Sequence, residues 1–430
     1  NKAKQASASA TINHQLSDKW KFNSIFSLQE YDRNYFSSER IQADNNGNWK
    51  RKLTRSKTLE NYYNGQLNLN GDLSTGSITH TLLIGVDAEK FSNTTNAFGY
   101  APGSFMKDDV YDEINILDPS KSTLVRTDEP VTTVTSRTTT PTYRFGVYAQ
   151  DLVGLSDKFK VLLGLRWSYQ NIDVAKRYTL ATGETAETAP ARSERAFSPR
   201  VGLVYQPIQT TSLFASYSNN FVSNTGFDLN MNVLSPSIID QFELGVKNDF
   251  LGGKLSANFS VYRIINDRFY AQAQLDKDGI ENTNSQIKEL AGETTSDGAE
   301  IDITGTPFSG LNIIAGYSYN FMRYTKTTGK KFSYFVGERL VGNTAHTANT
   351  SAFYTLQTSR FKGLKLGAVV NYTGRRNAGW NNTVGHAVAN RLIPVGGFTT
   401  IDLSTGYSFR RISLLAKVSN LTDELNYYVH

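Results

Sequence analysis

Residues 143–171 read YRFGVYAQDLVGLSDKFKVLLGLRWSYQN, and the order of apolar and polar side chains in this stretch decides the fold. On both sides of the break GLSDK every second residue is mainly apolar or aromatic, and the residues between them include Arg, Lys, Gln and Gly. Successive side chains of a β-strand point to opposite faces of the sheet, so this pattern predicts two strands joined by a short turn. A soluble β-sandwich alternates in the same way, so the hairpin alone does not identify what lies against each face.

The same alternation recurs along the whole chain, in about sixteen segments of roughly ten residues or more. Aromatic residues gather towards the ends of the apolar files, as transmembrane barrels place them at the two membrane interfaces. Strand-end aromatics of a sandwich are the alternative, but a sandwich of this size needs a second apolar layer. The sequence therefore predicts an all-β, transmembrane antiparallel β-barrel. The aromatic residues in question are Trp20, Trp167, Tyr169, Tyr205, Tyr319, Tyr372 and Tyr407.

Composition limits the other classes of protein. The chain has 430 residues, 20% of them charged, no cysteine and a mean hydropathy of -0.40. It lacks the run of about 18 apolar residues that a membrane-spanning helix requires. Its net charge of +6 comes from dispersed Lys and Arg, so a nucleic-acid partner is not expected. Residues 1–16 already resemble the inside of a strand and contain no signal-peptide pattern, so we expect the native N-terminus to lie upstream.

The connections between these segments alternate between short and long. Short turns begin near residues 16, 73, 154, 207, 251, 306, 358 and 409, and long polar stretches separate them. Short turns at one rim and long loops at the other are typical of outer-membrane barrels, whose long loops face outside. Because such a barrel starts and ends on the periplasmic side, this order predicts an odd number of strands before residue 1 and an odd number after residue 430.

Several stretches together resemble TonB-dependent siderophore receptors of the Gram-negative outer membrane, in order and spacing along essentially the whole chain. The most specific are GVYAQD (146–151) and VSNLTDELNYY (418–428). Others are THTLLIGVDAEKF (79–91), FSPRVGLVYQPIQTTSLFASYSNNF (197–221), SPSIIDQFELGVKNDFLGGKLSANFSVYRI (235–264) and SDGAEIDITGTPFSGLNIIAGYSY (296–319).

The resemblance implies a barrel of 22 strands with an N-terminal plug folded inside it. About sixteen strands here, with five before and one after, would complete that number. We therefore expect residues 1–430 to be an incomplete barrel domain without its plug. The implied function is uptake of ferric siderophores across the outer membrane, with the barrel in contact with outer-membrane lipid. Coupling to TonB–ExbB–ExbD would run through the missing N-terminal plug region.

No enzyme constellation is present in the sequence. The five histidines have neither HExxH spacing nor cysteine partners, and GxSxG, P-loop and Rossmann patterns are absent. Three other functions stay open: a passive porin, a TonB-dependent receptor for cobalamin, haem or a glycan, and an outer-membrane hydrolase. The order of the turns argues against the porin, and the missing Ser/His signature argues against the hydrolase.

Aromatic clusters in the predicted outer loops are the candidate ligand contacts. Aromatic faces offer contact area to a large chelate, and Arg or Tyr can donate hydrogen bonds to its oxygens. The alternative is that these aromatics pack against one another. Iron would arrive already chelated, so neither a cofactor nor a protein metal site is expected. Neutral aromatic loops favour hydroxamate siderophores over negatively charged catecholates. The predicted contacts are Phe98, Tyr100, Tyr334, Phe335, Arg375 and Trp380.

The polar file carries both charges and glycines. The resemblance implies that several of its charges contact the plug, and a solvated wall is the alternative. The predicted plug contacts are Arg144, Arg166, Arg200, Glu243, Lys247 and Glu300. Two explanations remain open for the glycines, which either make room for a plug or relieve strand coiling in a curved sheet. They are Gly85, Gly146, Gly164, Gly202, Gly245, Gly316, Gly367 and Gly406.

Overall fold

A computed structural model describes residues 1–38, 44, 46–105, 110–273, 275–280, 282, 284–329, 334–358, 360–379 and 392–427. These residues form 22 strands and a short 3₁₀ helix, Pro119–Lys121, which confirms the predicted all-β fold. The strands are β1 (Lys2–Gln15), β2 (Trp20–Ser38), β3 (Asn48–Arg51), β4 (Leu53–Thr75), β5 (Ile78–Tyr100), β6 (Asp112–Asn115), β7 (Thr132–Gly154), β8 (Phe159–Ile172), β9 (Ala175–Thr179), β10 (Thr185–Ala189), β11 (Arg192–Ile208), β12 (Thr211–Val222), β13 (Ser237–Phe250), β14 (Leu255–Gln272), β15 (Lys288–Gly305), β16 (Leu311–Thr327), β17 (His346–Thr355), β18 (Lys365–Thr373), β19 (Arg376–Gly379), β20 (Leu392–Val395), β21 (Phe398–Phe409) and β22 (Ile412–Val418).

The strands fall into two groups by length, long strands and short ones that lie in the long connections. Six strands, namely β3, β6, β9, β10, β19 and β20, have four or five residues, and the other sixteen have seven or more. Two strand pairs, β3 with β6 and β19 with β20, are separate from the pairing of the longer strands. In the part of the chain that the structure describes, no helix has both the length and the apolar composition needed to cross a membrane.

The chain divides into two compact units. The first comprises residues 1–72, 82–149 and 166–196, and in it β2 pairs antiparallel with β1 on one side and with β4 on the other. The second comprises residues 73–81, 150–165 and 197–430. In the second unit β11 to β18 pair in chain order, β18 pairs with β21, and β21 pairs with β22, all antiparallel.

Side-chain burial is inverted relative to a soluble protein. We call the face that carries Leu165, Leu203 and Leu244 the apolar face, and the opposite face of the same strands the polar face. These three leucines are 51%, 57% and 57% exposed, whereas Gln170 and Thr294 on the polar face are buried. Soluble folds keep large aliphatic side chains inside. The apolar side chains therefore do not form the core of a sandwich.

Some strands extend further into the predicted loops than the sequence pattern indicated. β5 continues to Tyr100, so the stretch 96–100 is strand rather than loop. Thr94 Oγ1 lies 2.9 Å from Thr139 Oγ1 of β7, and Asn96 Nδ2 donates to the carbonyl oxygen of Lys57 at 3.2 Å. Polar residues can continue a strand because pairing with neighbouring strands satisfies their backbone groups.

Candidate functional site

An arginine and an aspartate meet across a glycine on the polar face of the first unit. Arg166 of β8 donates from Nη1 to Asp87 Oδ2 at 2.6 Å and from Nη2 to Asp87 Oδ1 at 2.9 Å. Asp87 lies on β5, and Gly146 of β7 lies beneath the pair. A Cβ atom at position 146 would overlap the Arg166 guanidinium. The glycine therefore leaves the space in which this bidentate ion pair forms.

A tyrosine crosses a second glycine in the same way. The Tyr148 ring lies where a Cβ atom at Gly85 would be. Its hydroxyl donates to Asn68 Oδ1 at 2.5 Å and accepts from Gln66 Nε2 at 2.7 Å, both on β4. Gly85 and Gly146 thus accommodate side chains that cross over a strand. This role differs from the two that the sequence suggested, which were room for a plug and relief of strand coiling.

Arg144, a predicted plug contact, is also bound within the wall. Its Nε donates to Gln170 Oε1 at 2.8 Å, and its Nη1 forms an ion pair with Glu89. The two predicted arginines of the first unit, Arg144 and Arg166, therefore already have partners on other strands of the sheet.

The remaining predicted plug contacts lie on the polar face of the second unit. Glu300 accepts a hydrogen bond from Ser318 Oγ at 3.0 Å. Lys247 Nζ lies 5.4 Å from the centre of the Phe214 ring, which covers Gly245. Arg200 is exposed and Glu243 is half-buried. Arg200 and Lys247 therefore present more accessible charge than Glu300.

Phe98 and Tyr100 hold neighbouring strands together in the first unit. The Arg55 guanidinium lies 4.6 Å from the Phe36 ring centre and 4.9 Å from that of Phe98. Tyr100 Oη donates to the carbonyl oxygen of Leu53 at 3.0 Å. Because β5 is unbroken from Ile78 to Tyr100, both side chains lie on the side of its apolar face.

Tyr334 is packed in an aromatic cluster of the second unit. Its ring is stacked on that of Tyr324, with centroids 4.3 Å apart and an interplanar angle of 16°. Phe269 meets both rings edge-on, at 5.8 Å from Tyr324 and 6.4 Å from Tyr334. Burial, with a contribution from the charge of Glu289, raises the pKa of the Tyr334 hydroxyl. Phe335, the next residue, is exposed.

Arg375 is exposed, whereas the neighbouring Arg376 is buried. The Arg376 guanidinium donates to the carbonyl oxygen of Tyr427 and lies 5.5 Å from the Phe398 ring centre. Trp380 lies outside the described residues. Among the described residues, no group of three or more His, Cys, Asp or Glu side chains is arranged to hold a metal ion.

Phe269 and Arg376 fall in two loop clusters that the sequence indicated, RFYAQAQ (268–274) and GRRNAGWNN (374–382), but neither they nor Tyr324 were among the predicted contacts. Tyr324 lies on the polar file of β16, where a large aromatic residue was a usable signal. Phe269 follows an irregularity in the pairing of β14 with β15, so simple alternation does not assign its face. Arg376 stands directly beside Arg375, and the sequence gives no sign of which one is buried.

The chain matches the family described as "TonB dependent receptor-like, beta-barrel" over residues 1–421 and belongs to that family. The resemblance noted in the sequence is thereby confirmed, and so is the assignment to the Gram-negative outer membrane. The family consists of receptors and transporters rather than enzymes.

Three curated relatives have comparable identity. The Metal-pseudopaline receptor CntO of Pseudomonas aeruginosa is 26% identical over 420 residues, which are 97% of this chain and 55% of the relative. The Ferrioxamine B receptor of Salmonella typhimurium is 27% identical over 83% of this chain and 45% of its own length. The Ferrichrome outer membrane transporter/phage receptor of Escherichia coli is 26% identical over 83% and 44%. The chain thus spans about half the length of the curated relatives it matches.

Solved structures share the fold. The siderophore receptor PiuA from Acinetobacter baumannii superposes with a TM-score of 0.78 at 19% identity, covering 98% of this chain and 60% of that one. The Ferric-Catecholate import receptor Fiu from Escherichia coli gives a TM-score of 0.77 at 18% identity, with the same coverage. At these identities the likeness concerns the fold alone.

Proposed function

We propose that the protein acts in an outer-membrane receptor that imports ferric siderophores and is energised by TonB, ExbB and ExbD. The observation that carries the proposal is the inverted burial of the sheet. Large aliphatic side chains are exposed on the apolar face, which suits contact with lipid, while the polar face holds paired charges, which suits a wet interior. Membership of the receptor family and the names of the relatives support the cargo class.

The ligand contacts are proposed mainly in the second unit. Phe335 and Arg375 are exposed, so an arriving chelate can reach them. Tyr334 stacks on Tyr324 and supplies a rigid aromatic wall. Trp380 stays in the proposal on its sequence alone. The contacts of Phe98 and Tyr100 favour a role in strand packing over ligand binding.

The polar face is proposed to meet the plug chiefly through exposed side chains. Arg200 and Lys247 are accessible, and Glu243 lies on the same face. Arg144, Arg166 and Glu300 already bind neighbours in the wall, so a plug would share these groups rather than satisfy them alone. The siderophore carries the iron as cargo, and no protein cofactor is proposed.

Growth rescue tests the transport proposal. Iron-starved cells without their own siderophore receptors would carry the full-length gene and receive ferric hydroxamate, catecholate or mixed-ligand siderophores. We expect rescue by at least one of them, and loss of that rescue in cells without TonB. Failure of every ferric chelate to support growth would overturn the proposal. Arg375→Ala and Phe335→Ala should weaken rescue, with Arg177→Ala in β9 as the matched exposed control.

A second cargo class is favoured by one observation. The relative that aligns with 97% of this chain is named as a receptor for a metal-pseudopaline complex. The same panel should therefore include chelates of metals other than iron. Uptake of such a chelate, without uptake of any ferric siderophore, would assign the receptor to this second class.

A further inference from the structure

The segment 420–427, which belongs to the sequence motif VSNLTDELNYY, leaves β22 of the second unit through a tightly bonded turn. Asn420 closes this turn, because its Nδ2 donates to the carbonyl oxygen of Glu424 at 3.1 Å and its Oδ1 accepts from the Glu424 amide at 3.0 Å. The Asn420 amide in turn donates to Asp402 Oδ1 of β21 at 2.9 Å. The turn is therefore fastened to β21, which sets the path of the chain that follows it.

A buried arginine holds the far end of this segment. Arg376 of β19 is 6% exposed, and its Nη2 donates to the carbonyl oxygen of Tyr427. Its Nη1 lies 3.4 Å from the carbonyl oxygen of Gly396, and its guanidinium lies 5.5 Å from the Phe398 ring centre. A guanidinium carries five N–H donors in a rigid plane, so one side chain can contact two carbonyl groups and still lie over a ring. Arg376 therefore joins β19, the residues that lead into β21 and the segment 420–427.

The backbone around Arg375 is held on both sides. The Gly374 amide donates to the carbonyl oxygen of His346 at 2.8 Å. A Cβ atom on Gly397 would lie 2.8 Å from the carbonyl oxygen of Thr373 and 3.2 Å from the Arg375 amide nitrogen, so the two stretches approach this closely because position 397 has no side chain. Arg375 thus presents an exposed side chain from a backbone that lies between a bonded glycine and a buried arginine.

The loop that carries the other exposed ligand contact is bonded to the same place. The Gly342 amide donates to the carbonyl oxygen of Asn377 in β19 at 2.8 Å. The next residue, Asn343, donates from Nδ2 to Asn320 Oδ1 of β16 at 3.0 Å. The loop that contains Phe335 is therefore attached both to its own strand and to the strand that begins beside Arg375.

We propose that Arg376 is a positioning residue of the ligand site. It holds β19 against the segment 420–427, so that the Arg375 side chain is presented in one place before the ligand arrives. The inference rests on the proposed function, in which Arg375 contacts the ferric siderophore. Ordering side chains and loops during binding costs free energy, and a site that is already ordered avoids much of this cost. Because Arg376 is buried, it acts through Arg375 rather than by contact with the ligand.

A spin label tests the positioning without any ligand. The 430 residues contain no cysteine, so Arg375→Cys supplies a single labelling position within them. In the full-length protein in detergent, we expect Arg376→Ala to increase the mobility of a nitroxide at position 375, measured by electron paramagnetic resonance. A nitroxide at Asn371→Cys, which is exposed on β18 and paired on both sides, should keep its mobility. An unchanged nitroxide at position 375, or an equal increase at both positions, would overturn the proposal.

Uptake kinetics test whether the positioning serves binding. The probe is the ferric siderophore of the growth panel that supports growth, labelled with radioactive iron. We expect Arg376→Ala to raise the KM of uptake about fivefold, which corresponds to about 1 kcal/mol for ordering one freed side chain, and to leave the maximal rate unchanged. In an Arg375→Ala background the same substitution should raise the KM no further, because a residue that acts through Arg375 has no effect once that side chain is gone. Independent, additive increases in KM would overturn the proposal.

Arg410→Ala is the matched control, since the Arg410 guanidinium lies 5.3 Å from the Phe409 ring centre at the other end of β21. It should change neither the nitroxide at position 375 nor the KM. Heat-modifiable migration on gels establishes that each variant is folded. Arg376→Lys keeps a charged donor for one carbonyl group, so it should raise mobility and KM by less than Arg376→Ala and replaces that variant if it fails to fold. Absence of uptake of every chelate would overturn the proposed function, whereas the nitroxide would still decide whether Arg376 positions residue 375.

Discussion

Arg166 and Asp87 are joined by two hydrogen bonds, although β7 lies between the strands that carry them. The contact exists because the strand in between has no side chain at Gly146. Tyr262 repeats the arrangement in the second unit, where it lies over Gly298 and accepts a hydrogen bond from Asn320 at 3.0 Å. Glycines on the polar face thus determine which non-adjacent strands are joined by side-chain hydrogen bonds.

Gly146→Ala should destabilise the protein, because the new methyl group overlaps the Arg166 guanidinium. The guanidinium is the far end of a flexible, part-exposed side chain and can move aside, so the expected cost is that of the ion pair with Asp87, about 0.5–1 kcal/mol. Urea unfolding of the intact protein in lipid vesicles, followed by tryptophan fluorescence, measures the loss. Gly396→Ala is the matched control, since a Cβ there meets nothing within 4 Å. Equal stability of the two variants would contradict the proposed role of the glycine.

A double-mutant cycle of Arg166→Met and Asp87→Asn measures the ion pair itself. The two side chains are 38% and 31% exposed, so solvent screens their attraction. We expect a coupling energy of about 0.5–1 kcal/mol in the unfolding free energy, decreasing as salt is added. A coupling energy of zero at low salt would mean that the Arg166–Asp87 ion pair contributes nothing to the unfolding free energy.

The sequence predicted which face each of these residues occupies but not which residues meet. Alternation assigns Arg166, Gly146 and Asp87 to the polar file because the period of a strand is two. Their contact depends on the register between three strands, and register is fixed by pairing along whole strands rather than by local pattern. This is why the glycines were noticed in the sequence while the crossing side chains were not.

Asp112→Asn should open the loop segment that contains β3 and β6. The Asp112 side chain is fully buried and accepts from Arg51 Nε at 2.6 Å. Removing the carboxylate leaves a partly buried guanidinium without its counter-charge, and breaking such a pair costs about 3–5 kcal/mol when both charges are buried. Because Arg51 keeps some exposure, a loss of roughly half that size is expected. Limited proteolysis of residues 46–54 measures the opening.

Asp128→Asn serves as the control for that experiment. Asp128 pairs with Arg126 at 2.7 Å and does not contact Arg51, so its loss should change the rate of cleavage at residues 46–54 little. Cleavage that rises equally in both variants would show that burial of Asp112 does not stabilise the loop.

Acid should release the segment that Arg126 fastens to Asp128. The hydrogen bond from Arg126 lowers the pKa of the Asp128 carboxyl below its ordinary value of 3.8. A lowered pKa in the folded state means that the contact stabilises the loop above that ordinary value and is lost as pH falls through the lowered one. Cleavage by pepsin near residues 124–131 should therefore be slow at pH 4 and accelerate towards pH 2. In Arg126→Gln it should already be fast at pH 4, and an unchanged profile would contradict the assignment.

The loop regions were the least predictable part of the chain. Arg51 and Asp112 are 61 residues apart in sequence, and Tyr324 meets Tyr334 only because the chain after residue 334 folds back along β16. Neither contact has a periodic signal, since loop packing depends on particular side chains rather than on a repeating face. The strands were predictable because about sixteen repetitions of one simple pattern support each other.

Leu244 and Glu243 provide the sharpest test of the orientation of the sheet. They are neighbours near the middle of β13, and their side chains point to opposite faces. Leu244 is 57% exposed, so in water Leu244→Arg would be a nearly neutral surface change. If the apolar face contacts hydrocarbon, the same substitution costs about 2–4 kcal/mol, whereas Glu243→Arg faces a wet interior and inserts normally. Folding of each variant into lipid vesicles, read as heat-modifiable migration on gels, compares the two. Equal insertion of Leu244→Arg and Glu243→Arg would show that the apolar face does not contact lipid.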